Sequence, residues 1–96
     1  MQRGSMQKIE RHKQRVAELG CVLCLHLGHG GTPACLHHIR EGQGMSQRAA
    51  DTLVIPLCHE HHQGGTGIHG LGTRRFESTY KLSELDLLAK TIELLC

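Results

Sequence analysis

The sequence predicts a small α+β domain stabilised by zinc, with a strand-strand-helix unit at its centre and helices on either side. The chain has 96 residues, with one Phe, one Tyr and no Trp, so apolar burial alone provides only a marginal core. Eight of its nine His and four of its five Cys fall between Cys21 and His69. An odd number of Cys, without a signal peptide or a long apolar segment, favours metal over disulfides. It also predicts a cytoplasmic location without membrane contact.

The chain divides into a short terminal stretch and one domain. Residues 1–5 can be a tag remnant, because a second Met follows at Met6. Residues 6–96 form a single domain, with a basic helix or arm over 6–19, a metal-binding core over 21–72 and helices over 73–96. The net charge is only +2, but the first fifteen residues hold five basic side chains against one acid. This arm suits a polyanion such as DNA, and a solvated helix face is the alternative.

Two pairs of ligands have the spacing of a zinc knuckle. Cys21 and Cys24 form a CxxC pair, in which a tight turn directs two thiolates at one ion. A redox CxxC favours a strand-helix context, whereas a Gly-rich loop follows here. Cys58 and His61 repeat the spacing, so we predict a structural zinc site from these four residues. The rival partners of the CxxC pair are His26 and His29, in a local cluster.

The central unit carries further His residues. Ala34 to Ile39 is predicted to be a strand that ends in His37 and His38, with Cys35 as a small buried hydrophobe rather than a ligand. Adjacent strand residues face opposite ways, so one imidazole can bind metal while the other holds a reactive water. Leu53 to Leu57 is predicted to be a second, antiparallel strand, and a short helix begins at about His59. Strand, loop, strand and helix with His at these places is a ββα-metal arrangement.

The C-terminal third is predicted to be helical after a glycine-rich segment. Gly64 to Gly72 can be a tight loop, anchored by Ile68, that brings His69 back towards the central unit, and a plain flexible connector is the alternative. Thr73 to Tyr80 is predicted to be a helix. Ser83 and Asp86 form a capping-box pattern for a final helix, whose apolar stripe is assigned to the core or to a dimer surface and not to chemistry.

The motifs resemble a known nuclease family. The CxxC pair, Leu36-His37-His38-Ile39 and Asp51-Thr52-Leu53-Val54-Ile55-Pro56-Leu57-Cys58, followed by His61-His62, resemble the Cys-containing HNH endonucleases. The run HHIREGQGMSQRAADTLVIPLCHEHHQGGTGIHG is similar to the bacteriophage Ref family of RecA-dependent nucleases that enhance recombination. The similarity covers Cys21 to Gly72.

This resemblance implies an HNH (ββα-metal) finger with flanking helices and a metal-dependent DNA endonuclease. It implies a general base at His38, and His37 and His62 as ligands of a catalytic Mg²⁺, Mn²⁺ or Zn²⁺ ion, with His69 as a third ligand. The chain contains no Asn, so the middle residue of the HNH motif is absent. Asp51 or Thr52 occupies its region, and Asp51 can also orient a His by accepting from Nδ1. The zinc knuckle of the family matches Cys21, Cys24, Cys58 and His61.

The resemblance also implies partners. The candidate phosphate contacts, which would not read bases, are Arg40, Arg48, Arg74 and Arg75. The implied partners are DNA, single-stranded or in recombination intermediates, and a RecA filament, in the cytoplasm of a bacterial host that carries the phage or prophage. The alternative function is a non-catalytic zinc-stabilised DNA-binding module, which needs the knuckle and the basic arm but not a second imidazole cluster.

Overall fold

The computed structural model describes residues 2–40, 42 and 50–96, with side chains from residue 6 onward. Within these residues the elements follow in the order α1 (Gln2–Glu18), α2 (Val22–Leu27), β1 (Cys35–His38), β2 (Val54–Leu57), α3 (His59–His62), α4 (Ile68–Leu71), α5 (Thr73–Tyr80) and α6 (Glu84–Leu95). The chain is therefore a small α+β protein, as predicted. None of the described helices is long and apolar enough to span a lipid bilayer.

The two strands form the antiparallel hairpin that the sequence predicts. Cys35 pairs with Leu57 at one end and His38 with Val54 at the other. Every residue of β2 is buried, and α1, α2 and α6 all pack against this strand. Pro56 is compatible with the pairing because each strand of a two-stranded sheet has a free edge, where a missing N–H costs no hydrogen bond. The hairpin thus holds the end of β1, with its two His residues, over the core.

The core joins the hairpin to the helices that follow it. Its largest fully buried side chains include Leu23 of α2, Leu57 of β2, Phe76 of α5 and Leu87 of α6. The predicted capping box of α6 is present: Asp86 N–H donates to Ser83 Oγ at 3.0 Å, and Ser83 N–H donates to Asp86 Oδ2 at 2.9 Å. This fixes the first turn of α6 beside the end of β1.

Both strands are one residue shorter at one or both ends than predicted, and two further segments differ more from the predictions. The first helix begins at Gln2 and not at Met6, because Gln and Arg in that stretch are good helix formers. It ends before Gly20, whose φ of 80° lies in the left-handed region that favours glycine. The glycine-rich segment is not only a loop, since residues 68–71 form the helical turn α4. Ile68, which is 2% exposed, anchors that turn in the core as expected.

Candidate metal centres and active site

The structure brings together four ligands that lie far apart in the chain. Cys21 and Cys24 flank the start of α2, while Cys58 precedes α3 and His61 lies within it. Their ligand atoms all lie within 4.8 Å of one another. Cys21 Sγ also accepts from Cys24 N–H at 3.4 Å as the N-cap of α2, which holds the first thiol in place. His26 and His29, the rival partners of this knuckle, are exposed and lie outside the group.

The distances in this group fit a tetrahedral zinc ion. With Zn–S near 2.3 Å and Zn–N near 2.05 Å, two thiolates of a tetrahedron lie about 3.8 Å apart and a thiolate and an imidazole nitrogen about 3.6 Å apart. Cys24 Sγ and Cys58 Sγ are 3.8 Å apart. His61 Nδ1 lies 3.6, 3.5 and 3.4 Å from the sulfurs of Cys21, Cys24 and Cys58. The four side chains thus have the arrangement that a zinc ion requires.

Protonation in this group depends on burial. Burial raises the pKa of the Cys21 thiol to about 12. At neutral pH its sulfur therefore keeps the proton unless a metal ion replaces that proton. Burial also lowers the pKa of His61, which keeps a nitrogen lone pair free. Soft thiolates with one imidazole favour zinc among the common divalent ions.

A second group consists of three imidazoles from three different elements. His37 lies on β1, His62 on α3 and His69 on α4, and their ligand atoms lie within 4.8 Å of one another. The ring centroids are 5.1 Å apart for His37 and His62, 5.2 Å for His37 and His69, and 4.8 Å for His62 and His69. His37 and His62 are buried whereas His69 is exposed. The imidazole cluster, as we name these three residues, is therefore accessible at His69.

Two residues of the imidazole cluster, His62 and His69, have lowered pKa values and are therefore neutral at neutral pH. Burial, followed by the neighbouring His37 and His69, lowers the pKa of His62 to about 4. Burial also lowers the pKa of His69, with further contributions from His37 and from Arg40. Neutral imidazoles offer lone pairs to a divalent ion, and three ligands leave coordination positions for water and substrate. The donor set therefore fits a metal that takes part in chemistry.

Cys35 is not the buried hydrophobe that the sequence predicts. It is exposed, its thiol donates to the carbonyl of Leu57 at 3.3 Å, and its sulfur lies 3.0 Å from His62 Nδ1. Because the thiol hydrogen is directed at the carbonyl of Leu57, the sulfur accepts from Nδ1–H of His62. The lone pair of His62 is then on Nε2, which faces the imidazole cluster. Residues two apart in a strand share a face, so Cys35 faces the same way as His37. Cys35 is nevertheless exposed because it is the first residue of β1.

The segment before α4 has more anchors than Ile68. The backbone N–H and hydroxyl of Thr66 donate to Glu60 Oε2 at 3.0 and 2.6 Å, and these bonds lower the pKa of Glu60. Tyr80 donates its hydroxyl hydrogen to the carbonyl of Thr66 at 2.7 Å. Gly67 follows in close contact with the backbone of α3. These contacts hold the segment on α3 and so bring His69 to His62.

His38 makes a separate pair with Asp51. His38 Nε2–H donates to Asp51 Oδ1 at 2.8 Å, with both side chains partly exposed. One of the alternatives from the sequence was that Asp51 accepts from Nδ1 of a His; here Nε2 is the atom engaged, which leaves Nδ1 to accept a proton. Helix α1 supports the turn that carries Asp51: His12 contacts the carbonyl of Thr52 at 3.1 Å, and Lys13 Nζ lies 4.0 Å from Asp51 Oδ2. The sequence reasoning did not assign these α1 residues to the site.

The sequence reasoning also missed Glu84. This residue opens α6, is 3% exposed, and accepts from His37 Nε2–H at 2.6 Å through Oε2. Its other oxygen, Oε1, accepts from the backbone N–H of Arg40 at 2.9 Å. An acidic residue in the first turn is already accounted for by the capping box and the helix dipole, so no separate sequence signal indicated this contact.

Three of the four arginines that were predicted to contact DNA belong to the described residues, and they line two neighbouring depressions of the surface. Arg40 and Arg74 line a cleft of about 430 Å³ that also includes Glu84. Arg75 lines a neighbouring groove together with Arg74. All three arginines are exposed. Arg48 lies outside the described residues.

Comparison with known proteins identifies the family. No curated protein matches the chain. Residues 6–96 match the model of a family described as recombination enhancement, RecA-dependent nuclease. The match spans both ligand groups, the His38–Asp51 pair, helices α2 to α6 and most of α1, and it includes the segments that carry the resemblance noted in the sequence. The chain belongs to the family of recombination-enhancing, RecA-dependent nucleases.

Proposed function

We propose that this protein is a metal-dependent DNA endonuclease of the HNH type, in which a ββα-metal finger hydrolyses phosphodiester bonds. The observation that carries the proposal is the pair of sites at the end of β1. His37 belongs to the imidazole cluster, and the next residue, His38, belongs to a His–Asp pair. A metal site and a candidate base on consecutive residues at the end of a strand support the proposal that both act on one scissile phosphate bound there.

The proposed roles follow from the free atoms of each side chain. His38 accepts a proton from water at Nδ1, because Asp51 engages Nε2 and stabilises the ring as it becomes charged. Asp51 is thus a positioning residue in place of the missing Asn of the HNH motif. His37, His62 and His69 would hold the divalent ion, and the ion would supply stabilisation of the negative charge that develops in phosphodiester hydrolysis. Exposed Arg40 and Arg74, in the cleft beside the imidazole cluster, bind the flanking phosphates.

The two ligand groups are proposed to hold different ions. Cys21, Cys24, Cys58 and His61 form a closed set of four ligands, which suits structural Zn²⁺. The imidazole cluster suits Zn²⁺ or another transition metal in the absence of substrate. Mg²⁺ or Mn²⁺ can act there when phosphate oxygens complete the coordination.

The substrate is proposed to be single-stranded DNA or a recombination intermediate in a RecA filament. Membership of a RecA-dependent family supports this, and the exposed arginines of the cleft can contact any backbone phosphate, so we expect little sequence preference. The proposed location is accordingly the cytoplasm of a bacterial host, where a RecA filament forms, and the proposed origin is a phage or prophage.

Cleavage assays test the proposal. Single-stranded, displacement-loop and supercoiled DNA are incubated with Mg²⁺ or Mn²⁺, with and without a RecA filament. We expect cleavage that needs the filament and falls by about 10²- to 10⁴-fold in His38→Ala, because a general base contributes that much. His26→Ala, which removes an exposed imidazole outside both groups, is the matched control. DNA binding without metal-dependent cleavage on any substrate would overturn the proposal in favour of a non-catalytic zinc-stabilised DNA-binding module.

A further inference from the structure

Glu84 is a buried carboxylate whose two oxygens both contact residues at the end of β1. The side chains of Glu84 and His37 are 2% and 1% exposed, and their polar atoms are 2.6 Å apart. The second oxygen binds the backbone N–H of Arg40 at 2.9 Å. These contacts join residues that lie more than forty positions apart in the chain. A buried carboxylate is costly unless hydrogen bonds compensate it, and here each oxygen has such a bond.

The contact with Glu84 decides which nitrogen of His37 carries hydrogen. A neutral imidazole has one N–H donor and one lone pair. The carboxylate oxygen can only accept from Nε2, so an imidazole at this position that binds a metal carries its hydrogen on Nε2 and its lone pair on Nδ1. Nδ1 is then the atom that His37 presents to a metal in the imidazole cluster. A carboxylate behind a ligating imidazole also increases the electron-donating strength of that imidazole.

We propose that Glu84 is a positioning residue for the metal ion of the imidazole cluster, acting through the tautomer and orientation of His37. The same carboxylate holds the backbone of Arg40, so it also fixes where the phosphate cleft begins relative to the ion. This inference rests on the proposed function, since it assigns a role within the same site. Its consequence is that the C-terminal helix, which contributes no metal ligand, helps to determine metal affinity.

Glu84→Gln is the discriminating substitution because it nearly preserves size. A Gln side chain has one oxygen in place of two, so it can accept from Arg40 N–H or from His37 Nε2–H but not from both. If its NH₂ group faces His37, Nε2 must accept and the hydrogen moves to Nδ1, which blocks the metal ligand. Glu93→Gln, at an exposed position of the same helix, is the matched control.

The experiment measures metal binding separately from cleavage. Each protein is loaded with one equivalent of Zn²⁺ for the four-ligand knuckle, and Co²⁺ is then titrated with detection by visible absorption. We expect binding weaker by about 10- to 100-fold in Glu84→Gln and unchanged in Glu93→Gln. ¹⁵N NMR of the parent protein should show His37 protonated at Nε2 and metal-bound at Nδ1.

Two results would overturn the inference. One is a Co²⁺ affinity in Glu84→Gln equal to that of the parent. The other is an NMR spectrum of the parent in which His37 binds metal through Nε2, and this measurement does not depend on whether the variant folds. A parent protein that binds metal as expected but cleaves no DNA would instead refute the proposed function and leave the role of Glu84 in metal binding intact.

Discussion

Replacing Gly67 with Ala tests whether the close approach of α4 to α3 creates the imidazole cluster. Gly67 is buried and is the N-cap of α4, with φ of −97° and ψ of 176°, values that Ala adopts without strain. The cost is therefore steric. A Cβ at this position would lie 2.6 Å from the carbonyl carbon of His61 and 2.7 Å from its oxygen, and would also meet the carbonyl oxygen of Glu60. Ordinary contacts begin at 3.4 Å, so the two backbones must separate by about 0.7 Å or more.

This displacement has consequences for stability and for metal binding. Overpacking of this kind lowers the free energy of unfolding by about 1–3 kcal/mol. His69 lies two residues further on and moves with α4. Metal coordination tolerates deviations of only about 0.2 Å in ligand distance. We therefore expect Gly67→Ala to weaken metal binding at the imidazole cluster at least about tenfold, the range found when ligand orientation is disturbed.

Gly65→Ala provides the matched control within the same segment. A Cβ at Gly65 would meet no atom within 4 Å, and its φ is outside the left-handed region, so we expect a change within about 1 kcal/mol in either direction. Both variants are compared with the parent by urea denaturation of the zinc-loaded protein and by Co²⁺ titration. Equal stability and equal Co²⁺ affinity in the two variants would refute the reasoning that contact between α3 and α4 fixes His69.

Three further predictions concern the knuckle, the His–Asp pair and pH. Cys58→Ser should lower the free energy of unfolding in zinc by several kcal/mol, since a thiolate ligand is lost, whereas Cys96→Ser, at an exposed thiol outside the knuckle, should match the parent in denaturation. Asp51→Asn should slow cleavage at least about tenfold while leaving Co²⁺ affinity unchanged, and an unchanged rate would exclude its positioning role. The pKa of His62 is lowered to about 4 in the folded chain. As pH falls, the unfolded chain therefore binds a proton at this residue at about pH 6.5, well before the folded chain does. Stability without metal in the imidazole cluster should thus fall from about pH 6.5 towards 4, with the ring of His62 titrating near 4 by NMR; titration near its ordinary value would contradict this.

Local sequence signals account for the elements that were predicted correctly. The Ser83 and Asp86 capping box lies within one helical turn, and the hairpin follows from two short apolar runs. Ligand spacing likewise indicated the four residues of the knuckle, because CxxC and its His-containing repeat are local patterns, whereas the imidazole cluster was implied by the family resemblance. Such features depend on residues near in sequence, so a single chain displays them.

Contacts between distant elements account for what the sequence did not predict. Glu84 meets His37 across 47 positions, and only the packing of α6 against the hairpin creates that contact. Cys35 was judged by residue type, although its exposure depends on where β1 begins. The anchoring of the glycine-rich segment by Thr66 and Tyr80 requires α5 to fold back over α3. None of these contacts leaves a periodic or spaced pattern in one sequence.

The neighbours His61 and His62 give α3 a role in thermodynamic linkage between the two ligand groups. One helical turn carries a ligand of the knuckle at His61 and a ligand of the imidazole cluster at His62. An ion bound to His61 also restricts the rotation of α3. His62 is then already ordered, so binding of the second ion loses less conformational entropy. Linkage is reciprocal, and each ion raises the affinity of the other by the same factor. Zinc in the knuckle should therefore raise the affinity of the imidazole cluster for its own ion, and an ion in the imidazole cluster should slow the loss of zinc from the knuckle.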